Sequence, residues 1–110
     1  MKLTLFRTQV YLRSLSRLPD GVDMLQVEEE IAQDPIRWPV IPGTGGIRKA
    51  RFSAGNKGKR GGGRICYFYL MQEESLYLLK AYTKNTQEDL TSDERNVLKQ
   101  LVRQIKEVKP

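Results

Sequence analysis

The spacing of apolar residues predicts one strand and two helices in the first third of the chain. Residues 3–6 alternate as a short strand does, and Thr8 can then cap a helix. The apolar positions of this helix are predicted at Leu12, Leu15 and Leu18. A second helix is predicted over 22–34, because the residue before Pro35 is pushed out of helical geometry. Its inner side is predicted to carry Met24, Leu25, Val27, Ile31 and Ala32, with Glu28, Glu29 and Glu30 mostly outside.

Three further strands are predicted in the middle of the chain. Residues 35–42 contain three prolines and predict an extended connector. The strands are predicted at 47–52, 64–70 and 76–82, joined by a Gly/Lys/Arg/Asn-rich loop at 53–63 and a polar turn at 72–75. Thr91 and Glu94 have the spacing of a capping box, so a last helix is predicted to begin near Ser92. Its apolar face is predicted to be Leu98, Leu101, Val102, Ile105 and Val108.

The predicted order is therefore β-α-α-β-β-β-α, an α+β arrangement in a single domain over residues 1–110. The one cysteine, Cys66, allows no internal disulfide and favours a reducing compartment. No apolar run approaches the length of a membrane span, and the first residues lack a secretory signal. These features predict a cytoplasmic protein with no membrane partner.

Charge is distributed unevenly along this basic chain, whose formal net charge is +6. Residues 35–72 contain no Asp or Glu, and eight of the nine glycines fall between 43 and 63. The basic residues of this stretch are Arg37, Arg48, Lys49, Arg51, Lys57, Lys59, Arg60 and Arg64. Positive side chains beside bare backbone amides suit a phosphate polyanion, and we expect RNA. The alternative is a solvated hairpin loop.

Aromatic residues in the 64–70 strand offer a second feature of an RNA surface. Tyr67 and Tyr69 share one face of the strand and could stack bases. The alternative is that these rings pack under the helices.

The residue types present exclude several kinds of chemistry. The chain has no histidine and only one cysteine, which excludes histidine-based catalysis, a Cys/His triad and a zinc site. Neither a Walker A loop nor a dinucleotide-binding fingerprint is present. RNA, however, carries its own nucleophile, because its 2′-OH can attack the adjacent phosphate while Lys and Arg stabilise the developing charge. We therefore expect no metal and no cofactor.

Four segments together resemble the RelE/HigB toxins of bacterial type II toxin–antitoxin systems, and the HigB-like branch most closely. They are VIPGTGGIRKAR at 40–51, KGKRGGGRICY at 57–67, YLLKAYTKN at 77–85 and DLT at 89–91. The resemblance implies a RelE-like fold, with a small, mostly antiparallel sheet packed by N-terminal helices and a C-terminal helix. It also implies a toxin that cleaves mRNA in the ribosomal A site without a metal and so inhibits translation. A cognate antitoxin, often of helix-turn-helix type, would neutralise it, and the free toxin would be a monomer.

The resemblance also implies roles for individual residues. Candidate catalytic residues are Lys49, Arg51, Arg64 and Lys84; candidate RNA or ribosome contacts are Arg48, Lys57, Lys59, Arg60, Tyr67 and Asn85. Asn85 stands where many RelE members have Arg, and Leu90 and Thr91 occupy the region where some have Tyr. The histidine of some HigB proteins is also missing, so electrostatic roles are better supported than a particular base or acid.

Three alternative functions are compatible with the same residues. A ParE-like toxin would share the fold and inhibit DNA gyrase, although the acid-free cluster argues against it. A non-catalytic module could dock on RNA through the same surface. An interaction protein could use its basic loop to hold an acidic antitoxin segment.

Overall fold

The computed structural model describes residues 2–54 and 62–108, and their elements follow the predicted order. The elements are β1 Thr4–Arg7, α1 Gln9–Leu15, α2 Met24–Gln33, β2 Ile47–Phe52, β3 Gly63–Leu70, a 3₁₀ turn Met71–Glu73, β4 Ser75–Thr83 and α3 Ser92–Val108. The capping box is formed as predicted, because the N–H of Glu94 donates to Thr91 Oγ1 while Glu94 accepts from the N–H of Thr91. None of the described helices is both long and apolar enough to span a bilayer.

The four strands form one sheet in the order β1-β4-β3-β2. Strand β1 runs parallel to β4, and the other two pairs are antiparallel. Arg64 of β3 lies opposite Arg51 of β2 on one side and opposite Tyr82 of β4 on the other. The α+β class and the mostly antiparallel sheet are thus confirmed.

Helices cover both faces of this sheet, and each face has its own apolar cluster. The cluster under α1 and α2 contains the buried residues Tyr11, Val27, Ile31, Ala50, Phe52, Ile65, Tyr67, Leu76, Leu78 and Ala81. The cluster under α3 contains the buried residues Ile47, Cys66, Phe68, Tyr77, Leu79, Tyr82, Leu90, Leu98 and Val102. Side chains of β3 therefore alternate between the two clusters, as the period of a strand requires.

The predicted helix faces are right in part. Leu98 and Val102 of α3 are buried, and Val27 and Ile31 of α2 are buried. Leu12, Leu25 and Val108 were predicted to face inward, but they are exposed to 42%, 70% and 77%. In α1 the sheet-facing positions are taken instead by Tyr11 and Ser14. The hydroxyl of Ser14 accepts from the N–H of Ala81 in β4.

Glu28 of α2 is buried, whereas the helix pattern placed it mostly outside. Only 3% of it is exposed. Its carboxylate pairs with Arg7 of β1 at 2.6 Å and accepts from the hydroxyl of Tyr11 at 2.6 Å. The hydrogen bond with Glu28 is the largest effect raising the pKa of Arg7. Two partners from two other elements thus compensate the burial of this charge.

A bulge in β4 changes which side chains face α3. Cys66 lies opposite Lys80, but the next residue, Tyr67, lies opposite Leu78, so β4 contains one extra residue, Leu79. Leu79 packs in the α3-side cluster and Lys80 pairs with a residue of α3, so two successive side chains share a face. Strict alternation would put Tyr77 and Lys80 on opposite faces, but the bulge turns both toward α3.

Candidate nucleic-acid interface

Two rows of side chains run across the sheet on the face toward α3. Lys49, Cys66 and Lys80 are cross-strand neighbours on β2, β3 and β4. In the second row, two residues away along β3 and β4, Arg64 and Tyr82 are cross-strand neighbours. Arg64 belongs to this face because it alternates with Cys66 and Phe68, which are both in the α3-side cluster. The sheet thus brings Lys49 and Arg64, two of the four predicted catalytic residues, to one surface.

The loop between β4 and α3 places a carboxylate, Asp89, against this cationic face. Asp89 Oδ1 lies 3.3 Å from Lys49 Nζ and accepts from the backbone N–H of Leu90 at 2.8 Å. The hydroxyl of Tyr82 donates to the same oxygen at 3.4 Å. The pKa of Asp89 lies below its usual value. The hydrogen bond from the N–H of Leu90 is the largest cause of this lowering, and Lys49 lowers the pKa further, whereas desolvation raises it. Asp89 is thus an anion already paired with Lys49 on this face.

Two further lysines of this region also have carboxylate partners. Lys80 Nζ lies 3.2 Å from Glu94 at the start of α3, and Lys84 Nζ lies 3.7 Å from Glu88. Burial is the largest single influence on the pKa of Glu94 and raises it. The hydrogen bonds from Thr91, Gln87 and Lys80 together outweigh burial, so the pKa of Glu94 is lowered. The backbone N–H of Lys84 donates to the carbonyl of Gly62, which fixes the start of the loop beside β3.

Arg51 behaves differently from Lys49, although both were predicted to act on the substrate. It is exposed on the edge strand β2, and its guanidinium lies 5.8 Å from the centre of the Trp38 ring. Trp38 packs against the α1/α2-side cluster. The side chain of Arg51 therefore reaches around the edge of the sheet, away from Asp89.

Two predicted RNA contacts are engaged inside the protein. Tyr67 is 0% exposed, and its hydroxyl donates to the carbonyl of Pro35 at 2.8 Å. The expectation that Tyr67 contacts RNA is therefore wrong in this structure: its ring lies under α1 and α2. Arg48 Nη1 donates to the carbonyls of Ile36 and Trp38 and so ties the connector to the edge of β2.

The remaining predicted contacts lie on the surface or outside the described residues. Asn85 is exposed in the turn after β4, beside Lys84. Lys57, Lys59 and Arg60 fall within 55–61, outside the described residues, so their proposed ribosome contacts stay predictions.

Sequence reasoning missed four polar residues of this face. Asp89, Glu94 and Lys80 form the ion pairs given above, and Arg95 of α3 contributes to lowering the pKa of Asp89. The Nε of Arg95 is buried and has no hydrogen-bond partner among residues 2–54 and 62–108. An unsatisfied buried donor at such a position is unusual in native proteins. The capping-box spacing located Glu94 but gave no sign that it also pairs with Lys80.

The hydroxyl and thiol on this face are held in their protonated forms. Burial is the main cause that raises the pKa of Tyr82, and nearby Cys66 and Asp89 add to it. Burial also raises the pKa of the Cys66 thiol to about 12. Tyr82 therefore remains a hydrogen-bond donor at neutral pH, whereas Cys66 is not a nucleophile there.

Comparison with solved structures identifies the fold. A mutant of the E. coli toxin RelE in the free state is 14% identical, with a TM-score of 0.56 over 80% of this chain and 90% of that one. The toxin–antitoxin complex RelBE2 of Mycobacterium tuberculosis gives 20% identity and a TM-score of 0.58, over 76% and 99% of the two chains. HP0892 of Helicobacter pylori, a conserved hypothetical protein, is 17% identical, with a TM-score of 0.57 over 76% of this chain and 97% of that one.

No protein-family model matches the chain. The structural similarity confirms the predicted RelE-like fold. At these identities it establishes the fold alone, and none of the three structures is described as a HigB protein, so the HigB-like branch stays a prediction.

Proposed function

We propose that this protein is the toxin of a type II toxin–antitoxin system and a ribosome-dependent, metal-independent mRNA endoribonuclease. The observation that carries the proposal is that Lys49, Arg64 and Tyr82 lie together on one sheet face of a RelE-like fold. The sequence around this face contains no acidic residue from 35 to 72, so its charge is one-sided apart from the carboxylates of the β4–α3 loop and α3.

The reaction we propose is attack by an RNA 2′-OH on the adjacent phosphorus. A bond forms between the 2′-oxygen and phosphorus as the 2′-OH loses its proton to water. The bond from phosphorus to the 5′-oxygen breaks and that oxygen takes up a proton from water, so a 2′,3′-cyclic phosphate and a 5′-OH result. Arg64 stabilises the charge that develops on the phosphoryl oxygens, and Lys49 and Arg51 hold the flanking RNA. Lys84 is a further charge near the leaving oxygen.

Asp89 has an orienting role in this proposal. Its pKa is lowered, so it is a weak proton acceptor at neutral pH. It is suited instead to hold Lys49 in place until a phosphate replaces it as the partner of the ammonium. Tyr82 stays protonated and is hydrogen-bonded to the same carboxylate, so it is a candidate hydrogen-bond donor to the leaving 5′-oxygen.

Two partners follow from the proposal. One is the ribosome with its bound mRNA, which would orient the substrate strand. The other is a cognate antitoxin, supported by the description of the RelBE2 structure as a toxin–antitoxin complex. An antitoxin that inhibits the enzyme would cover the face of Lys49 and Arg64 or prevent its access to the ribosome.

The test is induction of the protein in bacteria followed by mapping of mRNA 5′ ends. We expect cuts within translated codons, and we expect an Arg64→Ala variant to lose them. Arg17→Ala, which removes the same charge from an exposed position before α2, is the matched control and should cut normally. Uncut mRNA together with inhibited gyrase supercoiling would establish the ParE-like alternative. Ribosome binding without cutting would establish the non-catalytic one.

A further inference from the structure

A second cationic surface lies on the other side of the β2 edge, around Trp38. The guanidinium of Arg37 lies 4.8 Å from the centre of the indole ring, and that of Arg51 lies 5.8 Å from it. Both distances are within the range of a cation–π interaction. Trp38 is the only tryptophan of the chain.

The backbone presents these three side chains in a fixed arrangement. Val40 forms an antiparallel bridge with Arg48, and the N–H of Ile41 donates to the carbonyl of Ile47 at 2.7 Å, so the connector runs along the edge of β2. Arg37 and Trp38 lie in the bend just before this bridge, which brings the Trp38 ring to 5.8 Å from the guanidinium of Arg51. Arg48 holds the connector there through the carbonyls of Ile36 and Trp38. Such preorganisation reduces the entropy lost when a ligand binds.

A cavity of about 210 Å³ opens at this place. Its lining is Val27, Glu30, Ile31, Arg37, Trp38, Ala50 and Arg51. The arrangement joins an apolar floor from α2 and β2, a flat aromatic ring and two planar cations. A flat, partly apolar ligand with a neighbouring negative charge matches all three, and a nucleotide has this chemistry.

Glu30 is the acidic member of the lining. Its carboxylate accepts from the side chain of Gln26 at 3.0 Å. It would repel a phosphate placed beside it, but it can accept from an amino group on the edge of a base. The cavity therefore favours a base toward Glu30 and a phosphate toward Arg51.

We propose that Trp38, Arg37 and Arg51 form a subsite for one nucleotide of single-stranded RNA, with the base stacked on the Trp38–Arg37 array and its phosphate on Arg51. Arg51 lies opposite Arg64 across the β2–β3 pair, so a strand held at Arg64 can continue around the sheet edge to this subsite. The inference rests on the proposed function only in taking RNA as the partner. An acidic protein segment is the competing occupant.

Fluorescence of the single tryptophan measures this subsite directly. We would titrate the full-length protein with a single-stranded RNA oligonucleotide whose 2′-OH groups are methylated, so that no cleavage can occur. We expect quenching of Trp38 emission that saturates with binding. Inorganic polyphosphate, which carries the charge without bases, should bind without comparable quenching. Equal quenching by polyphosphate, or stronger binding and quenching by a poly-glutamate peptide, would overturn the proposal.

Variants then separate stacking from charge. Arg37→Ala should weaken RNA binding by about tenfold, the scale of one lost base stack, and Trp38→Phe, which keeps a smaller aromatic ring, should weaken it by less. Arg37→Lys keeps the charge but loses the planar group, so it should restore only part of the affinity. Arg17→Ala should bind like the unchanged protein, and a melting curve by circular dichroism checks that each variant is folded. Wild-type affinity in both Arg37→Ala and Trp38→Phe would refute the subsite.

The outcome is distinguishable from failure of the proposed function. Arg64→Ala should abolish mRNA cleavage while Trp38 is still quenched by RNA. If no cleavage occurs in any form of the protein but quenching requires Arg37, the subsite holds and the endoribonuclease proposal fails. If cleavage depends on Arg64 and quenching is absent, the endoribonuclease proposal holds and the subsite fails.

Discussion

Replacing Asp89 with Asn should make this protein bind RNA more tightly. The change keeps an oxygen that can accept from the N–H of Leu90 and from Tyr82, so the loop should hold its shape. It removes the negative charge that lies 3.3 Å from Lys49 Nζ. A phosphate approaching Lys49 would then neither displace a carboxylate nor be repelled by one.

The size of the effect follows from the exposure of the pair. The side chains of Lys49 and Asp89 are 31% and 49% exposed, and ion pairs this open are worth about 0.2–1 kcal/mol. Repulsion between a carboxylate and a phosphate about 6 Å apart adds about 0.7 kcal/mol in a water-like dielectric. Together these terms predict that Asp89→Asn binds RNA about 5- to 20-fold more tightly.

Fluorescence anisotropy with a labelled, 2′-O-methylated single-stranded RNA measures this change. Glu73→Gln is the matched control, because it removes the same charge from the exposed turn between β3 and β4 and should change affinity little. Freeing Lys49 for a phosphate should also steepen the dependence of log K on log salt by about 0.7. Unchanged or weaker binding by a folded Asp89→Asn protein would show that no phosphate approaches Lys49.

The pH dependence of this difference has a definite sign. The pKa of Asp89 lies below its ordinary value of 3.8, so its carboxylate stabilises the fold above that pH. That stabilisation is lost as the pH falls through the lowered value. The affinity difference between Asp89→Asn and the unchanged protein should therefore be constant from pH 5 to 8. A difference that varies within this window would require another titrating group.

Three further predictions concern the frame that holds the site. Tyr11→Phe should lower the free energy of unfolding by about 1.5–3 kcal/mol in urea denaturation, because it deletes a hydrogen bond to the buried carboxylate of Glu28. Gly63→Ala should lower it by about 1–3 kcal/mol, since the new Cβ would lie 2.4 Å from the buried ring of Phe52. Cys66 should react with iodoacetamide at pH 8 at least about 100-fold more slowly in the folded protein than in urea, because burial raises the pKa of its thiol to about 12.

The elements with strong local signals were predictable from the sequence. Strand β2 has the predicted bounds, 47–52, and the capping box starts α3 at Ser92 as predicted. Both depend on neighbours within a few residues along the chain. Which face of α1 and α2 is inward was predicted less well, because Tyr11 and Glu28 are buried by each other and by Arg7. A helical pattern treats each polar residue alone and cannot show such a pair.

The candidate site shows the same division. Lys49 and Arg64 were identified from the sequence, because a one-sign block stands out along the chain, whereas Lys80 and Arg95 lie outside that block. Its carboxylates were not, because Asp89 meets Lys49 across 40 residues of sequence and Glu94 meets Lys80 only through the bulge at Leu79. Tyr67 was misjudged because an aromatic residue in a strand has the same local pattern whether its face is open or covered by a helix.

The acid-free stretch of the sequence becomes two different surfaces once the chain folds. On the α3 face, Lys49 of this stretch lies against the carboxylate of Asp89, and Lys80 and Lys84, from outside the stretch, also pair with carboxylates, so binding of RNA there is an exchange of one anion for another. At the β2 edge, Arg37 and Arg51 lie over an aromatic ring, and RNA would add to that array without displacing an anion from it. Exchange makes affinity at the first surface sensitive to the loop carboxylates, whereas stacking makes affinity at the second sensitive to the flat ring.

Asp89→Asn should therefore strengthen RNA binding without altering the quenching of Trp38 at saturation, and Trp38→Phe should weaken binding by the same factor with or without Asp89→Asn. Energies of separate sites that share no partner add, so a double variant that departs from the sum would mean that the two surfaces are coupled.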